Sequence, residues 1–353
     1  MKIIFCGGGT LGPVTPLLAV MRRMREMRPE IEFSWIGTPQ GPEASLVEAE
    51  GVAFHSLPVA KLARYPSKNW LTFPFDYLKA LDAAKRILQH EKPSAVFSAG
   101  GFTQVPVIRA AAKIGIPCAV HQLDYAPLLS NKAVARQCRM LTSSFEYPSP
   151  QFGGVKAIRV STPCRFANVP TPERAEAAEA LGLDPDKATV FVTGGGTGAL
   201  ALNKAILEVM DELLGHAQIL HLTGRGKMGE VVERPGFKTL EFLDETGMLN
   251  AYSASDVVVS RAGFGSLSEM AALSKPVIVV PLPRSPQEEN ARALTDAVSV
   301  VHQDLGFADT LKTQILKMLS DSQKRDKMGR NLHQRLQTDN GQELAEKWLG
   351  LLE

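Results

Sequence analysis

The sequence predicts an α/β protein made of two Rossmann-like domains facing each other across a cleft. Three observations carry that prediction. A strand-like run, the tetrapeptide GGGT and a helical apolar pattern occur together at Gly7–Thr10 and again at Gly194–Thr197, 187 residues apart. A repeat that long marks a duplicated architecture rather than a solenoid. Each half then alternates β runs with amphipathic stretches, which means parallel sheets covered by helices. At 353 residues the chain is long enough for two such domains, and ligands of this architecture bind where the strands end.

The first element is MKIIFC, whose β-forming residues run into GGGTLG. Gly7, Gly9 and Gly12 match the dinucleotide pattern G-x-G-x-x-G, and LLAVMRRMREM behind Pro16 reads as the following helix. That fingerprint also needs a carboxylate at the tip of the next strand to hold a ribose. The next strand, IEFSWIG, ends in Gly37 and Thr38, so a nicotinamide-dependent dehydrogenase is disfavoured. From Tyr65 to Tyr77, 5 of 13 residues are aromatic, flanked by Arg64, Lys68, Lys79, Lys85 and Arg86. Aromatic and basic residues together suit an anionic membrane surface, although a core helix with solvated lysines has the same composition. KPSAVFSAGG and the helical VPVIRAAAKIGIP then lead to a strand through CAVH.

The polar, proline-rich STPCRFANVPTPER, Ser161 to Arg174, reads as the linker. The expected division is 1–163 for the first domain and 164–338 for the second, with 339–353 a C-terminal helix returning to the first. The second half presents TVFVT before its own GGGT, then AQILHLTG, ASDVVVSRAG and KPVIVVPLP. In AGFGS a glycine turn opens a helix, and N–H groups at a helix N-terminus suit a diphosphate.

Bulk properties are those of an ordinary globular chain, 44% apolar and 22% charged. The N-terminus runs directly into a strand, leaving no expected signal peptide. Cys6, Cys118, Cys138 and Cys164 show no paired spacing, which fits a reduced cytosolic protein without structural zinc. The net charge of +2 is unevenly placed. Residues 1–165 carry 20 basic and 11 acidic side chains, a charge of +9, and the remainder carries −7. A basic first half suits an anionic partner.

The stretch SRAGFGSLSEMAALSKPVIVVPLPRSPQEENARAL, Ser260 to Leu294, resembles the donor-binding part of the MurG family. These are GT-B glycosyltransferases that complete the peptidoglycan lipid precursor, and the resemblance extends over nearly the whole chain. It implies an inverting, metal-independent transfer of GlcNAc from UDP-GlcNAc to the 4-hydroxyl of a muramoyl-peptide diphosphate lipid. It implies no cofactor, no metal ligand and no nucleic-acid partner, with charge on the departing UDP met by helix N-termini. It also implies a cytoplasmic protein, peripheral on the inner face of the plasma membrane.

The resemblance assigns residues to the donor. Gly263, Gly265, Ser266 and Leu267 form the diphosphate turn, and Glu269 would accept from the ribose hydroxyls. On the residues alone, Ser266 and Glu269 equally fit a capping box. Gln287 would read the sugar, with Asn290 supporting its loop. Gly195, Gly196 and Thr197 would approach the phosphates. His221, Thr223 and Gly224 fall near the nucleotide, Phe242 and Leu243 near the uracil edge, and Arg165 beside the linker.

The first half departs from the family. The histidine that usually follows the first glycine turn, a favoured catalytic base, is Pro13 here. The turn itself, through Gly8, Gly9, Thr10 and Gly12, is expected to hold the acceptor's diphosphate by its N–H groups, with Gly100, Gly101 and Phe102 beside it. His-Glu-Gln-Asn of the family is His121-Gln122-Leu123-Asp124 here. Asp124 or His121 is therefore expected to take the proton, although His121 at a strand end also fits a buried structural role. The rival functions are a GT-B transferase for another lipid acceptor, a UDP-GlcNAc 2-epimerase, and a non-catalytic UDP-sugar-binding paralogue.

Overall fold

The computed structural model describes residues 1–59, 69–147, 151–196, 198–228 and 234–353. They form two compact units, Met1–Arg165 joined by Asp339–Glu353, and Phe166–Thr338.

The first unit is built on a seven-stranded sheet. Its strands are β1 (Lys2–Cys6), β2 (Glu32–Gly37), β3 (Ala53–Ser56), β4 (Ala95–Ser98), β5 (Cys118–Gln122), β6 (Met140–Ser143) and β7 (Ile158–Arg159). The spatial order is β3-β2-β1-β4-β5-β6-β7, and the neighbouring strands run parallel. The direction of winding reverses between β1 and β4, which makes the ends of those two strands the switch point where such sheets bind ligands. Strands buried on both faces read as unbroken apolar runs, and Ile3, Ile4, Phe5 and Cys6 are all fully buried.

The helix after the first glycine turn spans Val14–Met27 and has Pro13 at its N-cap. It begins two residues before Pro16, the expected start. Proline fits there because its fixed φ suits the helix entry and its missing N–H would have had no helical acceptor.

After the short β8 (Thr162–Pro163) the second unit repeats the plan. Its strands are β9 (Thr189–Thr193), β10 (Gln218–Leu222), β11 (Phe237–Leu240), β12 (Val257–Ser260), β13 (Val277–Val279) and β14 (Ser299–Val300). Their order, β11-β10-β9-β12-β13-β14, is also parallel and has its switch point between β9 and β12. Its core packs Val190, Val192, Val257 and Val259 of the sheet against Leu202, Ile206 and Ile315 of the covering helices.

At β15 (Thr338–Asp339) the chain pairs with β8, and the Cys164 N–H donates to the Asp339 carbonyl at 2.8 Å. The last helix, Gln342–Leu349, belongs to the first unit. Its Trp348 is fully buried and stacks on Phe97 with ring centroids 4.6 Å apart. Burial of a ring this large anchors the segment through apolar area.

Candidate active site

In the second unit three glycine-bearing loops converge where β9, β10 and β12 end. Gly194 lies so close to the Ala199 backbone that any Cβ would overlap it. Gly195 has φ +73 and donates its N–H to the Thr193 hydroxyl at 3.1 Å. Gly198, at φ +67, donates to the Gly195 carbonyl at 2.9 Å and presses against the Thr223 carbonyl. Gly196 completes the turn, while Thr197 lies outside the described residues. A Cβ on Gly195 would stand 3.8 Å from the Ser266 hydroxyl, so the turn after β9 adjoins the helix start after β12.

That helix spans Phe264–Ala272 and has Gly263 at its N-cap. First-turn N–H groups have no acceptor within a helix, and the macrodipole places about half a positive charge there. Gly265 and Ser266 both belong to this turn, and Leu267 is buried beneath it. The frame removes the capping-box reading. Ser266 is the third helical residue, not the cap, and Glu269 is the sixth, too far along to reach a cap N–H. The Glu269 carboxylate is instead held by the Tyr252 hydroxyl, which donates to Oε2 at 3.0 Å in a buried contact.

Gln287 sits in the first turn of the helix Pro286–Ala293, which is capped by the Ser285 hydroxyl. Its Oε1 accepts the Leu282 N–H at 2.9 Å, and its Nε2 comes 3.9 Å from where a Cβ on Gly263 would be. Buried Asn290 donates to the Ala262 carbonyl at 3.1 Å, joining this helix to the β12 loop. Gly195, Ser266, Gly263 and Gln287 therefore stand together.

Two other expected donor residues, His221 and Thr223, are buried inside the unit. His221 is buried and bonds through Nε2 to the Asn203 Oδ1 at 3.1 Å, and burial lowers its imidazole to about 4. Buried Thr223 donates to the Leu240 carbonyl at 3.2 Å. Both brace β10 against its neighbours, and only Gly224, at φ +92, turns the chain beyond the strand. Phe242 is 45% exposed, with the Arg225 guanidinium 4.2 Å above its ring, and Leu243 packs against Gly247. Arg165, where the chain leaves the first unit for the second, is half-buried. Lys227 carries no role in the sequence analysis, although it stands three residues beyond Gly224. Its ammonium donates to the Gly198 carbonyl at 3.3 Å, bringing a cation to the glycine turn.

In the first unit the loops after β1, β4 and β5 adjoin one another. Gly9, at φ +81, is packed so tightly on the Phe102 ring that a Cβ would overlap it, and a Cβ on Gly101 would stand 3.5 Å from the Gly8 carbonyl. Gly100 abuts Leu128 and Asn131. Thr10 and Gly12 are exposed at the tip. One expectation requires correction. The N–H groups of the first turn are not all available to a phosphate. The Gly7 N–H donates to the Ile36 carbonyl, and the Gly9 N–H donates to the buried Glu43 carboxylate at 3.1 Å. Glu43 was unmarked because its role depends on a segment 34 residues away.

His121 is fully buried, with its nitrogens 3.0 Å from the Thr142 hydroxyl and 3.1 Å from the Ser144 hydroxyl. Burial drives its imidazole down to about 3. It is a neutral brace between β5 and β6, which leaves no basis for its use as the proton acceptor. Gln122, the residue standing for the family's glutamate, organises the next loop. Its Nε2 donates to the carbonyls of Asp124 at 2.7 Å and Ala126 at 3.0 Å. Its Oε1 accepts from the Leu128 N–H and from the Asn131 amide, which in turn accepts from Gln104. A carboxylate could not donate these bonds. Asp124, half-buried, is carried on this braced loop, and the Tyr147 hydroxyl donates to its carbonyl at 3.3 Å.

Of the aromatic-basic segment, Arg64, Tyr65 and Lys68 lie outside the described residues. From Asn69 onward it falls in the helix Asn69–Glu91, where Phe75 is 70% and Leu78 60% exposed. Lys79, Lys85 and Arg86 are exposed on the same helix. Among the described residues no helix is long and apolar enough to cross a membrane.

Residues 3–142 match the glycosyltransferase family 28 N-terminal domain, and residues 189–346 match the glycosyltransferase family 28 C-terminal domain. A protein of Lachnospira eligens, named UDP-N-acetylglucosamine–N-acetylmuramyl-(pentapeptide) pyrophosphoryl-undecaprenol N-acetylglucosamine transferase, is 33% identical over 328 residues, 91% of each chain. The crystal structure of Acinetobacter baumannii MurG is similar over 99% of both chains, with a TM-score of 0.74 and 24% identity. A UDP-GlcNAc 2-epimerase from Neisseria meningitidis is similar over 100% of this chain and 99% of its own, with a TM-score of 0.65 and 13% identity. At these identities the two structures speak for the fold alone.

Proposed function

The chain belongs to the MurG family of UDP-N-acetylglucosamine transferases, and we propose that its two units divide the reaction between donor and acceptor. The protein is a glycosyltransferase that moves GlcNAc from UDP-GlcNAc to the lipid-linked muramoyl peptide, the step that forms lipid II.

The donor falls to the second unit. The observation that carries this is the convergence of Gly195, Gly263, Ser266 and Gln287 at the β9/β12 switch point. The Gly194–Gly196 turn and the helix start at Gly265 and Ser266 receive the diphosphate, with the Lys227 ammonium beside them. Glu269 accepts from the ribose hydroxyls, Gln287 reads the GlcNAc hydroxyls, and Phe242 with Leu243 borders the uracil. As the sugar–phosphate bond breaks, charge grows on UDP. A helix N-terminus fixed in advance stabilises that charge without reorganising.

The acceptor falls to the first unit, at the loops of Gly8–Gly12 and Gly100–Phe102. Its 4-hydroxyl oxygen attacks the anomeric carbon from the face opposite UDP, and its proton passes to the Asp124 carboxylate. The like charge of the acceptor's diphosphate favours proton uptake by that carboxylate. Phe75 and Leu78, with Lys79, Lys85 and Arg86 on the same helix, dock on the anionic inner face of the membrane, where the lipid acceptor resides.

The test is release of UDP from UDP-GlcNAc with and without the muramoyl-diphosphate lipid. Release that requires the lipid supports this reading. Turnover of free UDP-GlcNAc alone would assign an epimerase-type reaction.

A further inference from the structure

We propose that Tyr252 is a positioning residue for donor recognition, its hydroxyl fixing the Glu269 carboxylate in the place where it meets the ribose. This rests on the assignment of Glu269 to the ribose made above.

Tyr252 lies in the last turn of the helix Glu245–Ala254, and Glu269 in the helix Phe264–Ala272. β12 runs between these helices in the chain. The Tyr252 ring is fully buried and is met edge-on by two others. Phe166 stands at 6.1 Å and 73°, and Phe191 of β9 at 5.5 Å and 81°. Two T-shaped contacts leave the ring little freedom to swing, so its hydroxyl points in a fixed direction. The acceptor in that direction is Glu269 Oε2 at 3.0 Å.

A glutamate side chain has three rotatable bonds, and a carboxylate that is to receive a vicinal diol must be held still. Packing alone would be served by two apolar side chains of the same volume, at no cost in buried charge. A phenol aimed at a carboxylate is instead a charge-assisted bond with a defined geometry. An ionised carboxylate offers about four acceptor positions, and the phenol's bond to Oε2 takes one of them while restricting where the group can swing. The sequence gives no local sign of the pair, because the residues are 17 apart on different helices.

The experiment measures calorimetric affinity for UDP and for 2′-deoxy-UDP in the full-length parent, Tyr252→Phe, Glu269→Ala and Glu269→Asp, with thermal melts as a fold check. In the parent UDP binds more tightly than its 2′-deoxy analogue, and Glu269→Ala abolishes that preference. Tyr252→Phe keeps the ring and its packing but reduces the preference by roughly tenfold, the worth of a hydrogen bond to a charged group. It also raises KM for UDP-GlcNAc by more than it lowers kcat. Glu269→Asp draws the carboxylate away from the hydroxyl with its charge intact and reduces the preference as well. A tyrosine with a packing role only would shift the melt and leave the preference at its parental value. If Glu269→Ala abolishes the preference while Tyr252→Phe retains it, the inference is overturned and the ribose assignment stands. If Glu269→Ala retains it, the ribose assignment fails and the inference with it.

Discussion

The buried Glu43 carboxylate accepts the Gly9 N–H at 3.1 Å, and its second oxygen takes both the Thr38 N–H at 2.6 Å and the Thr38 hydroxyl at 2.5 Å. One side chain thus ties the first glycine turn to the end of β2. A Cβ on Gly8 or Gly41 would overlap this carboxylate, so both glycines clear space for it. The first turn therefore meets an anion of the protein's own, which sets its shape before any acceptor arrives.

Glu43→Ala should lower unfolding stability by about 2–4 kcal/mol, because it strands the two buried donors of Thr38 and the partly buried Gly9 N–H at once. It should also raise KM for the acceptor while leaving donor affinity at the parental value. Urea unfolding is the measurement. A loss below about 0.5 kcal/mol, within the range of a neutral surface change, would show that the turn holds itself.

His121 and His221 make stability dependent on acid. Burial lowers their imidazoles from 6.5 to about 3 and about 4 in the folded state. Between those values and the unfolded value, the unfolded chain binds more protons, so stability rises with pH. The contribution is complete above pH 6.5 and declines as pH falls toward 3. A single such histidine contributes a slope of up to about 1.4 kcal/mol per pH unit. His121→Gln should flatten the pH dependence of unfolding between pH 4 and 6 relative to the parent. An unchanged slope would mean that His121 is already charged in the fold.

Asp124→Asn should reduce kcat by roughly 10²–10⁴-fold, the usual contribution of a general base, with donor KM unchanged. Gln122→Glu turns a donor into an acceptor against the Asp124 and Ala126 carbonyls. It should therefore also lower kcat although it restores the family residue. Full activity in Asp124→Asn would remove Asp124 from the chemistry. Full activity in Gln122→Glu would show that the loop keeps its shape without those two bonds.

Phe75 and Leu78 are exposed apolar side chains, so their replacement should leave the fold nearly untouched. Phe75→Asp with Leu78→Asp is expected to abolish cosedimentation with vesicles containing anionic lipid, and added salt should weaken the parent's binding. Parental binding by the double variant would place the membrane contact on another surface.

The sequence by itself determined the central strands of each sheet, the glycine turns after β1 and β9, and the repetition of one plan in the two halves. Each is a local matter: β-forming runs such as KIIFC and TVFVT stop at glycines, and the turn shape follows from the missing Cβ. The segment from Ser260 to Leu294, proposed here to hold the donor, was legible for the same reason, since Gly263, Ser266, Gln287 and Asn290 lie within one loop–helix–strand–helix unit. Tertiary structure decided what those residues touch. It made His121 and His221 inert by burying them, a property of the surrounding sheets rather than of either residue. It gave Gln122 its purpose by setting carbonyls around its amide. It closed the Glu43–Gly9 and Tyr252–Glu269 contacts across 34 and 17 residues. Burial and hydrogen-bond partnership depend on which segments pack together, and no local pattern encodes the partner at such separations.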